Sequence, residues 1–285
     1  MRPSHKKGLP LFIKYKVRLR RCDMAKFFPM FSGSKGNSTY IGDHSGGILV
    51  DVGVSFKRLK EKLESRSIPL SHIKAVLITH EHSDHIKGLK LFLKNCPVPV
   101  IASRPTIYAL EYAGAISYDT ERIYIDEVEN YDIGEILVSR FATSHDCEGS
   151  SGFVITFGDT KTAVCTDLGI MTEDVINNLC GCRLVMLESN HDPVMLRMGP
   201  YPAELKLRIS SDKGHLSNAV CAQTLATLHS SGTTHFVLAH LSEENNTPQK
   251  AGSAARAALM DIGACENSDY ILYIAPPDGD RVIPL

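Results

Sequence analysis

One short segment concentrates side chains that bind metals. His80, His82, Asp84 and His85 fall within residues 80–85, in the order HxHxDH. A lone histidine in a polar loop would more often cap the next helix. Several neutral imidazoles close to a carboxylate instead favour Zn²⁺ or another borderline divalent ion. One loop can present His80 and His82 to one ion while Asp84 and His85 turn toward a second, and the two ions of such a site lie roughly 3.5–4 Å apart.

Three further candidate ligands follow predicted strands. His145, Asp167 and His240 each come directly after a short β-rich run. Any one of them alone would more often be an ordinary surface or core polar residue. Because strand ends project side chains from a rigid element into a crevice, three residues at the same topological position favour a shared site.

A second motif suits a phosphate group. The segment Gly214–Asn218 opens a helix predicted over 216–230, and a helix N-terminus offers free N–H groups and positive potential. His215 is the candidate to donate to a phosphate oxygen or to protonate a leaving group. The alternative is that Ser217 or Asn218 does no more than cap the helix.

Candidate substrate contacts also follow the strand predicted at 183–188. Asn190 and His191 lie there, although His191 could instead only fix neighbouring ligands. Near the His215 motif, the basic residues Lys206, Arg208 and Lys213 form a candidate surface for a nucleic-acid strand.

Strands and helices alternate after residue 24, which indicates an α/β fold. Strand 74–79 is almost continuously apolar, as expected for a strand buried on both faces. Several strands with little helix between 114 and 162 favour mixed sheets, so we predict two mixed sheets between helical layers. The predicted strands are 27–31, 38–42, 47–52, 74–79, 98–102, 135–142, 152–157, 161–166, 183–188, 235–239 and 270–275. The predicted helices are 55–65, 85–95, 104–113, 172–180, 216–230 and 248–262.

Composition excludes several protein classes. With 43% hydrophobic and 22% charged residues in 285, the chain as a whole is neither disordered nor a coiled coil. No apolar run reaches the roughly 18 residues of a membrane helix. Eight cysteines without a CxxC pair indicate free thiols in a reducing cytoplasm.

Charge is unevenly distributed along the chain. Residues 1–23 hold eight basic residues and one acidic residue, which gives +7, and the rest carries −8. We interpret 1–23 as a basic N-terminal extension, either disordered or the result of a start codon assigned too far upstream. Residues 24–285 are predicted to form a single domain.

The ligand motifs resemble those of the metallo-β-lactamase superfamily, which run HxHxDH, His, Asp, His. The resemblance covers nearly all of 24–285 and implies a four-layer αββα sandwich with a dinuclear metal site at one edge of its sheets. Asp51 matches the family's first motif, whose aspartate supports the metal loop. The resemblance implies one ion on His80, His82 and His145, a second on Asp84, His85 and His240, and Asp167 as the bridge.

Finer motifs resemble the YycJ (WalJ) subgroup of that superfamily. The subgroup implies a cytoplasmic DNA exonuclease of 5′-to-3′ polarity. The chain shows neither the β-CASP insertion of RNA-processing relatives nor the long arm of tRNA-processing ones, so we expect DNA rather than RNA. We expect two divalent ions, Zn²⁺ before Mn²⁺, and neither a membrane nor an obligate protein partner. The motifs are Phe31–Ser38, Leu187–Asp192, Tyr201–Ile209, Gly214–Asn218 and Ala239–Asn246.

Two divalent ions in such a site would ionise a shared water and neutralise charge on a phosphodiester. We expect the metal-bridging hydroxide, oriented by Asp84, to attack phosphorus in line with the leaving oxygen. One alternative is a small-molecule phosphodiesterase or thioester hydrolase on the same fold. Others are an iron-dependent oxygenase or oxygen reductase, and a binding module that has lost its metals, although the intact ligand set argues against the last.

Overall fold

The computed structural model describes residues 25–285, and the predicted basic extension at 1–23 lies outside the described residues. The strands are β1 (Lys26–Phe31), β2 (Ser38–Asp43), β3 (Gly46–Val50), β4 (Ile73–Leu77), β5 (Val100–Ala102), β6 (Arg122–Tyr124), β7 (Tyr131–Asp132), β8 (Ile136–Ala142), β9 (Ser151–Phe157), β10 (Thr160–Cys165), β11 (Leu184–Glu188), β12 (His235–Ala239), β13 (Ile271–Ile274) and β14 (Ile283–Pro284). The helices are α1 (Phe56–Glu64), α2 (Ser83–Ile86), α3 (Leu89–Asn95), α4 (Arg104–Tyr112), α5 (Glu173–Leu179), α6 (Pro193–Met198), α7 (Ala203–Ile209), α8 (Asn218–Ser230) and α9 (Pro248–Asp261).

The strands form two seven-stranded sheets with the same mixed pattern. The first has the order β14-β1-β2-β3-β4-β5-β6, antiparallel as far as β3 and parallel from β3 onward. The second has the order β13-β12-β11-β10-β9-β8-β7, parallel as far as β10 and antiparallel beyond it. The predicted mixed sheets are therefore confirmed.

Three apolar clusters fill the spaces between four layers. Leu59 of α1 and Phe92 of α3 pack against the first sheet, while Leu225 of α8 packs against the second. Ile48 and Val138 belong to a third cluster that lies between the two sheets. Each fully buried side chain of this size stabilises the fold by roughly 1.5–3 kcal/mol relative to exposure. The layers are therefore helix, sheet, sheet and helix, which is the predicted αββα sandwich.

The structure differs from the predicted helices in three places. The helix predicted at 85–95 divides into α2 and α3 at Gly88, whose N–H bonds to Val52 O instead of continuing the helix. The helix predicted at 216–230 begins two residues later, since Ser217 accepts a hydrogen bond from Val220 N as its N-cap. The short helices α6 and α7 were not predicted, although a proline begins one and precedes the other.

No helix among residues 25–285 combines the length and the apolar character that crossing a membrane requires. The described cysteines all have free thiols.

The segment after β3 packs tightly against the HxHxDH loop. A Cβ on Gly53 would lie 1.7 Å from Asp84 O and 2.5 Å from the Asn37 amide nitrogen. Gly53 N donates to Asn37 O at 2.8 Å, and Asn37 N donates to Asp84 O at 2.7 Å. The glycine therefore lets the residue before β2 and the segment after β3 hold the ligand loop in one position.

We expect Gly53→Ala to lower the free energy of unfolding by about 3 kcal/mol, because its methyl group collides with backbone that cannot move independently. Urea unfolding would measure the change. The control is Gly134→Ala, where φ is +75° and no atom lies within 4 Å of the added Cβ, so about 1 kcal/mol of backbone strain is expected. Equal losses in the two variants would contradict this account of the loop.

Candidate metal centre

The ends of strands from both sheets bring the predicted ligands together. Ligand atoms of His80, His82 and His145 all lie within 4.8 Å of one another, and so do those of Asp84, His85 and His240. These are the two groups that the family resemblance divides between two ions. We call these six residues, with Asp167, the ligand cluster.

Asp167, which follows β10, lies between the two groups. Its Oδ2 is 3.3 Å from His85 Nε2, and its Oδ1 is 3.3 Å from His240 Nδ1 and 4.0 Å from His145 Nε2. Burial would raise the pKa of Asp167, but the charges of His240 and His85 outweigh burial and hold that pKa well below its usual value. The carboxylate is therefore ionised and placed to serve both groups.

Asp51 orients two histidines of the first sheet. Its Oδ1 accepts from Thr79 N at 2.9 Å, and its Oδ2 lies 2.8 Å from His85 Nδ1 and 2.9 Å from Thr79 Oγ1. Because the Thr79 hydroxyl donates to Asp51, it can accept from His80 Nδ1, 3.0 Å away. Both imidazoles therefore place a proton on Nδ1 and turn Nε2 toward the cluster.

Glu188 has the same role in the second sheet. This fully buried carboxylate at the end of β11 lies 2.7 Å from His240 Nδ1 and 2.9 Å from His215 Nδ1. Its other oxygen accepts the backbone N–H groups of Leu168 and Leu216. These four donors occupy the carboxylate, so Glu188 supports the two histidines.

His145 is oriented by backbone. Its Nδ1 lies 3.1 Å from Gly214 O, an acceptor that needs the N–H, so Nε2 is left for the cluster. Burial lowers the pKa of His145, which keeps the imidazole neutral as a metal ligand must be.

The backbone is strained where the supporting and ligating residues leave the sheets. Asp51, Asp167 and His240 have φ angles of 62°, 60° and 54°. Left-handed backbone is uncommon for residues with a side chain and costs of order 1–3 kcal/mol when the surrounding structure enforces it. The strain turns each side chain sharply from its strand toward the ligand cluster.

The buried polar atoms of the cluster fit divalent cations. His80 Nε2, Asp167 Oδ2 and His240 Nε2 are buried without a hydrogen-bond partner among residues 25–285. Such atoms are costly to bury unless something binds them. Burial, reinforced by neighbouring His85, also lowers the pKa of His80 well below its usual value and keeps it neutral. Imidazole nitrogens and carboxylate oxygens together are a donor set for divalent metal ions.

The turn between β1 and β2 contributes a side chain that sequence reasoning missed. The segment Phe31–Ser38 was recognised only as a motif of the subgroup, yet Asn37 Nδ2 lies 3.0 Å from His85 Nε2 and 3.3 Å from Asp84 Oδ2. Asn37 Oδ1 is fixed by Gly33 N at 2.9 Å. The amide therefore borders the ligands predicted for the second ion.

The predicted substrate residues occupy different environments. Asn190 is buried and donates to His240 O, while Ser217 caps α8, so both side chains have internal partners. Asn218 is also buried and accepts from Ser189 Oγ. His191 is 4% exposed, and its Nδ1 has no partner within the described chain. His215 borders the cluster, with its ring centroid 5.2 Å from those of His145 and His240.

Part of the predicted basic surface is already paired. Arg208 forms an ion pair with Asp146, and Lys206 Nζ donates to Arg197 O. The surface beside the cluster therefore combines fixed and exposed cations rather than a continuous positive patch.

Comparison with known proteins agrees with this geometry. A family model of the metallo-beta-lactamase superfamily matches residues 32–218. Exodeoxyribonuclease YycJ of Bacillus anthracis is 35% identical over 239 residues, which cover 83% of this chain and 90% of that protein. Exodeoxyribonuclease WalJ of Streptococcus pneumoniae is 31% identical over 258 residues, which cover 89% and 95%.

Structural similarity extends the agreement to the fold. The metallo-beta-lactamase fold protein YhfI from Bacillus subtilis superposes with a TM-score of 0.69 over 92% of this chain and 99% of its own, at 15% identity. The family match, the curated relatives and the αββα layers lead to one conclusion: the chain belongs to the metallo-β-lactamase superfamily.

Proposed function

We propose that this protein is a metal-dependent nuclease that degrades DNA as a 5′-to-3′ exonuclease. The observation that carries the proposal is that Asp167 lies between the two ligand groups, 3.3 Å from His85 Nε2 and 4.0 Å from His145 Nε2. Paired ions suit phosphodiester hydrolysis, because that reaction needs an oriented nucleophile and neutralised phosphate charge. The relatives named as exodeoxyribonucleases align over most of the chain and support DNA as the substrate.

When bound, two divalent ions would supply a water that ionises near neutral pH and positive charge for the phosphate oxygens. The ligand cluster would hold them, with Zn²⁺ favoured by the His/Asp mixture and Mn²⁺ as the second candidate. Asp84, which is partly exposed with its Oδ2 3.7 Å from His240 Nε2, would orient the attacking water as well as bind metal.

His215 would act on the leaving group. Burial would lower its pKa, but Glu188 outweighs burial and raises it, so His215 retains its proton to higher pH. Burial would raise the pKa of Glu188, but His215 and His240 lower it to about 2, so the carboxylate stays ionised. With Nδ1 held by Glu188, His215 would protonate the leaving oxygen from Nε2.

The cellular setting follows from the same proposal. Residues 24–285 would act as one catalytic domain in the cytoplasm without an obligate protein partner. The free thiols of the described cysteines support a reducing compartment.

Digestion of end-labelled DNA tests the activity. With Mn²⁺ or Zn²⁺ we expect nucleotides to be released from the 5′ end, DNA to be preferred over matching RNA, and His82→Ala and Asp84→Ala to lose about 100-fold or more in rate. His72→Ala, outside the cluster, is the control and should keep the wild-type rate. Full activity of Asp84→Ala at saturating metal would contradict its assigned role. Hydrolysis of a chromogenic phosphodiester or a thioester, with the oligonucleotide intact, would favour the small-molecule alternative.

Chelation tests the metal requirement independently of substrate. An ion present at 100 times its Kd stabilises the folded state by about 2.7 kcal/mol, and about 2 °C of Tm accompanies each kcal/mol in a chain of this size. Removing two ions should therefore lower Tm by about 10 °C, and adding Zn²⁺ should restore it. His82→Ala should recover only part of that shift, whereas an unchanged Tm in the wild type would speak against a resident metal.

Glu188→Gln tests the support beneath His215 and His240. Four N–H donors converge on this carboxylate, and a glutamine would turn its own NH₂ group toward some of them. We therefore expect Glu188→Gln to lower the free energy of unfolding by about 3 kcal/mol. Below the new Tm, kcat should fall about 100-fold or more with little change in KM, because proton transfer suffers more than substrate binding. Glu266→Gln, which breaks an exposed pair with Arg256, is the control. A variant with wild-type kcat would refute the role of Glu188.

A further inference from the structure

We propose that Asp146 is a further protein ligand for the ion assigned to His80, His82 and His145, and that Arg208 holds it in place. Asp146 directly follows the predicted ligand His145 but was not itself predicted to bind metal. Its Oδ1 lies 3.2 Å from His145 Nε2 and 3.8 Å from His82 Nε2. The proposal deepens the proposed function and rests on it.

The distances fit donors that share one ion. Zn²⁺ binds nitrogen and oxygen at about 2.0–2.2 Å, so two ligands that subtend about 90–120° at the ion lie about 2.8–3.8 Å apart. Asp146 Oδ1 lies 3.2 Å from His145 Nε2 and 3.8 Å from His82 Nε2, within that range. Because His145 Nδ1 is taken by Gly214 O, the nitrogen facing Asp146 is the one available for metal.

Arg208 of α7 fixes the orientation of the carboxylate. Its Nε and Nη2 both approach Asp146 Oδ2, at 2.6 and 2.5 Å. The other oxygen, Oδ1, is left toward the histidines. Asp146 is 29% exposed, so it lies at the solvent edge of the group rather than beneath it.

The neighbouring contacts make this arrangement more than a surface ion pair. The chain just after α7 also binds the two residues before Asp146: Ser144 Oγ donates to Asp212 O, and His145 Nδ1 contacts Gly214 O. Three successive residues of the loop are thus bound to one segment. A loop held at each residue gives up little further conformational entropy when its carboxylate binds an ion.

Asp146 would also give the two metal sites equal numbers of carboxylate ligands. The second group already has a carboxylate of its own in Asp84, whereas the first contains only histidines. With Asp146 added, each ion would have one carboxylate of its own and a share of Asp167. The extra oxygen donor would make the first site more acceptable to Mn²⁺, which prefers oxygen ligands.

Metal titration of the whole protein tests the proposal. Binding of Zn²⁺ and of Mn²⁺ would be measured by calorimetry on wild type, Asp146→Asn and Arg208→Gln, with bound metal counted by mass spectrometry. We expect Asp146→Asn to lower the affinity for one of the two ions about tenfold or more and to leave the affinity for the other unchanged. Arg208→Gln should lower the affinity for the same ion by a smaller factor, because the Asp146 carboxylate remains but is no longer held in place.

A second exposed ion pair supplies matched controls. Asp278 Oδ2 lies 3.2 Å from Arg58 Nη2, so Asp278→Asn and Arg58→Gln make the same chemical changes outside the cluster and should leave both affinities unchanged. Wild-type affinity for both ions in Asp146→Asn would overturn the proposal. If that variant does not fold, unchanged affinities in Arg208→Gln would overturn it instead.

The outcomes separate this proposal from the nuclease assignment. A wild-type protein that binds two ions, one weakened in Asp146→Asn, yet leaves DNA intact would support the ligand role and refute the nuclease. If the wild type digests DNA while Asp146→Asn binds both ions with wild-type affinity, the nuclease would be supported and the ligand role of Asp146 refuted. A wild type that binds no divalent ion would refute both.

Discussion

The site depends on one constraint: each buried imidazole must give its Nδ1 proton to a fixed acceptor so that Nε2 faces inward. Asp51 provides that acceptor for His85 and fixes the Thr79 hydroxyl that provides it for His80. Glu188 provides it for His240, and Gly214 O provides it for His145. A buried carboxylate is costly unless several donors satisfy it. Asp51 accepts from Thr79 and His85, and Glu188 accepts from two histidines and two backbone N–H groups. Placing Asp51 and Glu188 therefore constrains the fold as strongly as placing the ligands themselves.

That constraint explains why strain and close packing gather at the carboxyl ends of the strands. Asp51, Asp167 and His240 accept left-handed backbone there. Gly53 permits a contact with Asp84 O that no other residue could make. The apolar clusters on both faces of each sheet supply the stability that offsets this local backbone strain. Packing between the layers thus maintains a geometry that the loops alone would not keep.

Local patterns were enough to predict eleven of the fourteen strands among residues 25–285, the mixed sheets and the HxHxDH loop, because they depend on neighbours in sequence. The short strands β6, β7 and β14 were not predicted, since two or three residues carry too little pattern. The supports depend on distant partners: Glu188 and His240 are 52 residues apart, and Arg208 and Asp146 are 62 apart. An acid closing an apolar strand, as in Leu184–Glu188, was the one available signal for Glu188. Nothing local pointed Asn37 toward His85, since its contact is made by the meeting of two separate loops.

Protons and metal ions compete for the same atoms in this centre. Burial would lower the pKa of His85, but Asp51 and Asp167 outweigh burial and raise it to about 10. The pKa of His240 is likewise raised well above its usual value, against the effect of burial, chiefly by Asp167. A divalent ion would have to displace such a proton from Nε2, so metal binding would release protons and would weaken as pH falls. The carboxylates that raise these pKa values would also attract the metal ions. They therefore stabilise positive charge in the cluster, whether it is carried by protonated histidines or by bound ions.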